Sequence, residues 1–398
     1  MAAQLTRARR LLHLNAEKLL RRAQQKVGLS DLGYEFSREG FDILHEAYET
    51  EARLSLTGLL MTRHQSVRLL CHRLRIEEAL KRNPLVATLP VTRPVFITGL
   101  PRSGTTLLHR LLAQDPSHRA PLSWELFYPV PAPTREWIMG DTRIAKVDIM
   151  LRGFNRITPD LRIAHEVGTR LPEECITIFS HTFLSFVFTF SHHVPSYRAW
   201  LERQDLTPAY AFHRLFLQYL QSGWTAERWV LKAPAHLFGL SALLAIYPDA
   251  HIIQTHRDPL AVAASFASFT VAMRRALSSV VEPVAVAREQ AQLWARAVDH
   301  AIRFRDSEPR SSAQFCDVAY RDLISDPMGT VRRIYGQFHL PLTETAQSAM
   351  RHFLMRDGRR RRTRHDYALE EFGLNRQEEE RRYAFYCQRF DVAPEIAR

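Results

Sequence analysis

The chain has 398 residues, 46% of them hydrophobic and 24% charged, enough apolar content for a large buried core and too much for a disordered polyelectrolyte. Its 54 Lys+Arg outweigh 42 Asp+Glu by a net +12, and only five of the basic residues are lysines (Lys18, Lys26, Lys81, Lys146 and Lys232). Such a surface suits an anionic partner: nucleic acid, acidic lipid or a phosphorylated small molecule.

Residues 1 to about 88 read as helix almost throughout, rich in Leu, Ala, Arg and Glu, until Pro84 and Pro90 interrupt. The first 22 residues mix arginine with leucine and lack the apolar run and small-residue cleavage site of a secretory signal, so the expected compartment is the cytoplasm. A helix there either packs its leucines on the body or rests its basic amphipathic surface on a membrane. From Pro90 the texture changes to strand, loop, helix. VFITGL (Val95 to Leu100) is a short apolar strand, and TTLLHRLLAQ behind it has helical spacing. The stretch from Cys175 to Phe190 is the most apolar, but it is shorter than a membrane span and carries hydroxyls and His181, so it reads as a buried or pocket-lining helix. RWVLKAP (Arg228 to Pro234) is the next strand, with helix from His236 to Ile246. AHIIQTHRD (Ala250 to Asp258) follows, with helix from Pro259 to about Arg275, and SAQFCDVAY (Ser312 to Tyr320) is a later strand. Basic sequence from Arg356 to Arg364 reads as a loop. Apolar strands alternating with helices imply an α/β, three-layer, P-loop-like fold, its central parallel sheet of about five strands covered on both faces. The expected division is a helical segment over 1–90 and the α/β body over 91–398. The four cysteines (Cys71, Cys175, Cys316, Cys387) lie far apart without a CxxC or a metal-ligand cadence, so neither a disulfide scaffold nor a metal site is expected.

GLPRSGTT (Gly99 to Thr106) follows a strand and opens a helix, the context in which backbone N–H groups and a helix N-terminus hold phosphate oxygens. Its glycines match the first two of GxxxxGK[ST], but Thr105 stands where a nucleoside-triphosphate site has lysine. No acidic Mg²⁺ ligand follows an apolar strand, which leaves the usual route to ATP hydrolysis incomplete. PRSGTTLL resembles the 5′-phosphosulfate-binding loop of the sulfotransferase family, whose donor is 3′-phosphoadenosine 5′-phosphosulfate. HRDPLAVAASFASF resembles that family's 3′-phosphate-binding segment, with Arg257 at a strand end and Ser265 eight residues on. LKAPAHL and HDYALEEFGL resemble the bacterial branch, and the likeness runs over roughly residues 94 to 375.

The resemblance implies roles for single residues. Arg102, Ser103, Gly104, Thr105 and Thr106 would meet the phosphosulfate, and Arg257 and Ser265 the 3′-phosphate. Tyr320, in VAYRDLISDP, would lie near the adenine, with Arg321 where an acid is usual. Arg356 and Gly358, in FLMRDGRR, would belong to a loop closing over the nucleotide, with Asp357 replacing a lysine. Lys232 resembles the lysine beside the bridging oxygen of the leaving nucleotide. For the base that takes the acceptor's proton, the candidates are His236, which matches LKxPxH and titrates near neutrality, and Glu125, in PLSWEL. His165, Glu173 and Glu174 come after them. Phe179, Phe183, Phe186, Phe188 and Phe190, with Trp124, Phe127, Tyr128 and Trp137, either line an apolar cleft or fill core; a cleft would imply a hydrophobic small-molecule or lipid acceptor. A P-loop phosphotransferase and a non-enzymatic binder of nucleic acid or membrane are the competing readings. The first lacks its lysine, and the second shows no recognition-helix, RNP or zinc-finger pattern.

Overall fold

The computed structural model describes residues 13–135, 140–157, 168–358 and 369–395. Three helices come first: α1 (Ala16–Val27), α2 (Arg38–Thr50) and α3 (Leu56–Arg82). Each is opened by a side-chain cap, from Asn15, Ser37 and Ser55, which accepts a first-turn N–H that would otherwise lack a partner. Five parallel strands follow: β1 (Val95–Gly99), β2 (His118–Arg119), β3 (Arg228–Lys232), β4 (His251–His256) and β5 (Phe315–Ala319). Their order in the sheet is β2-β3-β1-β4-β5. The chain leaves β1 toward β2 and β3 on one side, then crosses back from β3 to β4 and β5 on the other. This makes β1 the switch point, with a crevice at the carboxyl ends of the strands.

The pleat divides the core into two layers. Val95, Ile97, Val230, Ile253, Cys316 and Val318 face helix α4 (Thr105–Leu112) and the later helices. Phe96, Leu231, Ile252 and Phe315 face the opposite way, into the largest cluster. That cluster also takes in Leu19, Leu20 and Ala23 of α1, Phe41 and Leu44 of α2, and Leu70 and Leu74 of α3, so the N-terminal helices share a core with the α/β body. The apolar face of α1 is spent on this packing and is not available to a membrane.

Three sequence expectations change. Cys175–Phe190 does not form one helix: it breaks into Ile176–Phe179, a 3₁₀ turn Ser180–Thr182 and Val187–Ser191, with Phe183 in the left-handed region at φ 59°. The break lets the Thr182 carbonyl accept the Ser37 N–H at the start of α2, a demand set by a distant element. The helix expected over His236–Ile246 is divided at Gly239 into a 3₁₀ turn Pro234–Phe238 and Leu240–Ile246. Arg356 and Gly358 stand in the last turn of a helix, Glu344–Gly358, rather than in a loop, because Met350, Phe353 and Leu354 hold that helix on the α4 side of the sheet.

Candidate active site

Parallel strands in register put their loops at one edge. β1 pairs with β4 as far as Gly99 opposite Thr255, and β4 with β5 as far as His256 opposite Ala319. The residues that come next, the 100–104 loop, Arg257 and Tyr320, are therefore neighbours. On the other flank Ile97 pairs with Lys232 at the end of β3.

The loop is held from below. Ser103, fully buried, donates its hydroxyl to the Leu100 carbonyl and shares a 2.6 Å hydrogen bond with the Thr255 hydroxyl. Arg102 (φ 65°) and Gly104 (φ 90°) both take left-handed backbone. For arginine this conformation is unusual, the kind of local strain that collects at ligand-gripping loops. At 104 only glycine fits: a Cβ would lie 2.9 Å from Leu323 and 3.1 Å from Tyr320. Gly104 is also the cap residue of α4 and brings no side chain to it, so no side chain competes for the N–H groups of the helix start.

Four of the sequence candidates meet around this loop. Arg102 Nε donates to Ser265 Oγ at 3.2 Å, and Arg257 Nη1 donates to the Arg102 carbonyl at 2.8 Å. The Arg257 guanidinium lies 4.2 Å above the Tyr320 ring. Ser265 comes from helix α5 (Pro259–Leu277), whose start is capped by Asp258. Arg257 is positioned in turn by its neighbour His256, whose Nε2 lies 2.8 Å from Asp317 Oδ1, while Arg305 forks onto both oxygens of that carboxylate at 2.8 Å. Against the opposing effect of burial, the hydrogen bonds from Arg305 and His256, with the Arg305 charge, hold the Asp317 carboxyl well below its ordinary range. A strand end, a helix two turns in and a glycine loop thus make one cationic pocket, lined by an aromatic face.

Across β1, Lys232 is almost fully buried and its ammonium pairs with the carboxylate of Glu174, which is one-fifth exposed. The backbone N–H of Cys175 donates to the Lys232 carbonyl at 2.9 Å and fixes the 173–175 segment beside the strand end. The adjacent Glu173 accepts from Ser123 Oγ at 3.1 Å and from the Glu174 N–H at 2.9 Å; burial raises its carboxyl above the usual range.

A family model described as the sulfotransferase family matches residues 94–344. The structure superimposes on the sulfotransferase STF1 from Mycobacterium tuberculosis with a TM-score of 0.81 at 35% identity, covering 93% of this chain and 98% of that one. The chain belongs to the sulfotransferase family. STF9 from Mycobacterium avium is similar with a TM-score of 0.87 at 27% identity, covering 96% and 98%. The omega-hydroxy-beta-dihydromenaquinone-9 sulfotransferase Stf3 of Mycobacterium tuberculosis is 27% identical over 277 residues, 66% of each chain and just under two thirds of the relative.

Within this sulfotransferase the two leading base candidates are both enclosed. His236 has no solvent exposure; its Nδ1 meets the Tyr210 hydroxyl at 2.7 Å, and Phe96 and Phe179 lie edge-on to its ring. Burial pushes its imidazole far below the ordinary histidine range, so it is neutral. Glu125 is 1% exposed: one oxygen accepts from Arg119 at 2.9 Å and the other from the Leu122 N–H at 2.8 Å. Both Glu125 oxygens are taken by Arg119 and Leu122, whereas the enclosed His236 ring keeps its Nε2 without a hydrogen-bond partner. Glu174, lower among the sequence candidates, is the carboxylate that stands at Lys232.

Phe179, Phe183, Phe186 and Phe188 are buried core, as in the stacking of Phe186 on Phe238, while half-buried Phe190 stacks on Trp294. Trp124 is fully buried in a separate cluster with Phe127, Tyr128, Ile144 and Met150. Beside that cluster an open, shallow surface groove of about 570 Å³ is lined by Asp141, Thr142, Ile144, Asp148, Thr169 and Arg170, among others. Trp137, His165 and Arg359–Arg364 lie outside the described residues, and Arg356 is exposed without a described contact to the pocket. Among the described residues no group of His, Cys, Asp or Glu could hold a metal ion. Sequence reasoning missed Thr255, His256 and Asp317, which support the pocket, and Glu395, whose carboxylate forks onto Arg257 at 2.6 and 2.8 Å. Of these only HRD, an arginine closing an apolar strand, carried a signal.

Proposed function

We propose that this sulfotransferase moves a sulfuryl group from 3′-phosphoadenosine 5′-phosphosulfate to the hydroxyl of a hydrophobic, lipid-like acceptor in the cytoplasm, without a metal. The observation that carries the donor is the convergence of Arg102, Ser265, Arg257 and Tyr320 beside the Gly104 loop. The residues fit the nucleotide: the loop N–H groups and Arg102 suit the phosphosulfate, Arg257 with Ser265 the 3′-phosphate, and the Tyr320 face a purine. Thr105, where lysine would be needed, disfavours a nucleoside triphosphate.

In the reaction the sulfur–oxygen bond to the 5′-phosphate breaks as a bond to the acceptor oxygen forms. Negative charge grows on the bridging oxygen while the acceptor loses its proton. Lys232 supplies the cation for that oxygen, and Glu174, already its partner, takes the proton. An acceptor would meet Glu174 on its partly open side; the apolar rings of the nearby Trp124 cluster and the relative named for a menaquinone derivative both favour a lipid-like molecule. Four free thiols are consistent with a reducing compartment.

Calorimetry with 3′-phosphoadenosine 5′-phosphate against ADP tests the donor. Binding of the first without Mg²⁺, at least tenfold tighter than the second, is expected; equal affinity would overturn the reading. An acceptor screen with labelled donor, comparing isoprenoid alcohols and reduced quinones with sugars, then tests the acceptor class. Labelling of sugars alone would overturn it.

A further inference from the structure

The last helix, α6 (Arg376–Phe390), is fastened to the strand end that carries Arg257: Phe390 stacks on the His256 ring at 4.0 Å and the Tyr386 hydroxyl meets His256 Nδ1 at 3.2 Å. Asp391 then turns the chain through left-handed backbone (φ 50°), and residues 392–395 run without regular structure back toward the pocket. The run ends with two anchored contacts. The Glu395 N–H donates to Asp258 Oδ2 at 2.7 Å, and its carboxylate accepts from Arg257 Nε at 2.6 Å and Nη2 at 2.8 Å. With Nη1 given to the Arg102 carbonyl, every nitrogen of the Arg257 guanidinium is engaged.

We infer that Glu395 is an internal occupant of the 3′-phosphate subsite, and that the donor enters by exchanging this tail carboxylate for its own phosphate. The inference rests on the donor reading above, which gives Arg257 the 3′-phosphate. The fork that Glu395 makes is the one a phosphate would make, since carboxylate and phosphate present two oxygens to guanidinium in the same plane. A tethered monoanion holds the site at an effective concentration in the millimolar range. A phosphate monoester carries about −1.5 to −2 at pH 7 and can also accept from the Ser265 hydroxyl, so it displaces the carboxylate, while a nucleotide without a 3′-phosphate has nothing to offer in exchange. Glu395 thereby tempers the affinity for 3′-phosphorylated nucleotides and weakens retention of the spent one. Because α6 stays docked through Phe390 and Tyr386, only the 392–395 run has to swing.

The test is calorimetry on the full chain as wild type, Glu395→Gln, Glu395→Ala and Arg257→Ala, with 3′-phosphoadenosine 5′-phosphate and AMP as probes. Both Glu395 variants should bind the 3′-phosphorylated nucleotide roughly three- to tenfold tighter, the scale of one partly exposed ion pair removed as competitor, with AMP affinity unchanged. Arg257→Ala should lose at least tenfold for the 3′-phosphorylated nucleotide alone. Unchanged or weaker binding by the Glu395 variants, or an equal gain for AMP, overturns the exchange even where Arg257→Ala upholds the donor site. Wild-type binding by Arg257→Ala overturns the donor reading and the exchange together. Hydrogen exchange gives a second readout: the Glu395 amide, held by Asp258, should lose protection when the 3′-phosphorylated nucleotide binds, and unchanged protection contradicts the exchange.

Discussion

Glu174 and Glu125 are both acidic residues near an arginine or lysine, yet their surroundings differ. Glu174 is partly open and touches Lys232, whereas Glu125 is sealed with Arg119, whose guanidinium also lies 4.2 Å over the Trp224 ring and 4.5 Å over Trp229. Replacing Glu174 by Gln should therefore lower kcat by about 10²-fold or more, while 3′-phosphoadenosine 5′-phosphate binds within a few-fold of wild type. Glu125→Gln should act on the fold: it leaves a buried guanidinium without its counter-charge, at a cost of about 3–5 kcal/mol. Urea unfolding of both variants separates the two roles; a stable, inactive Glu125→Gln would return the base to that residue. The sequence wording PLSWEL and LKAPAHL brought Glu125 and His236 forward because each is adjacent to a recognisable word. It could not show that Tyr210, Phe96 and Phe179 close over His236, since those contacts join residues up to 140 positions apart.

Among the elements, the β1–loop–α4 unit is the most sharply specified, because its demands are local: an apolar strand, a left-handed Gly104 and a helix start with no side-chain cap. Gly104→Ala should force a Cβ against Leu323 and Tyr320 and add the strain of a left-handed alanine, costing about 1–3 kcal/mol of stability. Because Tyr320 and the loop would move apart, binding of 3′-phosphoadenosine 5′-phosphate should fall about tenfold or more, measurable by thermal shift and calorimetry. Unaltered affinity would show that the loop does not grip the nucleotide. Elements with non-local demands were less legible. β2 has two residues and no β-rich run; it exists because His118 and Arg119 pair with Arg228 and Trp229. The Cys175–Phe190 stretch has the apolar content of one helix and breaks because α2 takes a carbonyl from its middle.

For the whole molecule, the shared core encloses an unusual number of histidines. Burial lowers His45 to about 4, and His109, His181, His192 and His213 to about 3. These folded-state values lie below the unfolded value near 6.5, so the unfolded chain binds more protons as pH falls. The contribution is intact above about pH 6.5 and is lost progressively toward pH 3–4. Each group gives up roughly 1.4 kcal/mol per pH unit, so together they remove on the order of 5 kcal/mol by pH 5.5, comparable with a domain's entire stability. The urea midpoint should drop steeply between pH 7 and 5.5, where the carboxylates with lowered values, such as Asp317 and Glu289, do not yet titrate. A flat midpoint across that interval would mean that the histidines are hydrated in solution.

By itself the sequence determined the four longer strands, the glycine loop after β1 and the identity of the residues at the strand ends. Each of these depends on residues within one or two turns of one another, and parallel register carries strand ends to a common edge. The tertiary structure decided where each polar group faces: His236 and Glu125 inward, Glu174 toward Lys232, and Glu395 onto Arg257. Burial and ion pairing are set by which distant segments meet, and a linear pattern does not encode that meeting residue by residue. Among 49 arginines, Arg257 is distinguished by a strand end in the sequence and by its tail partner only in the fold.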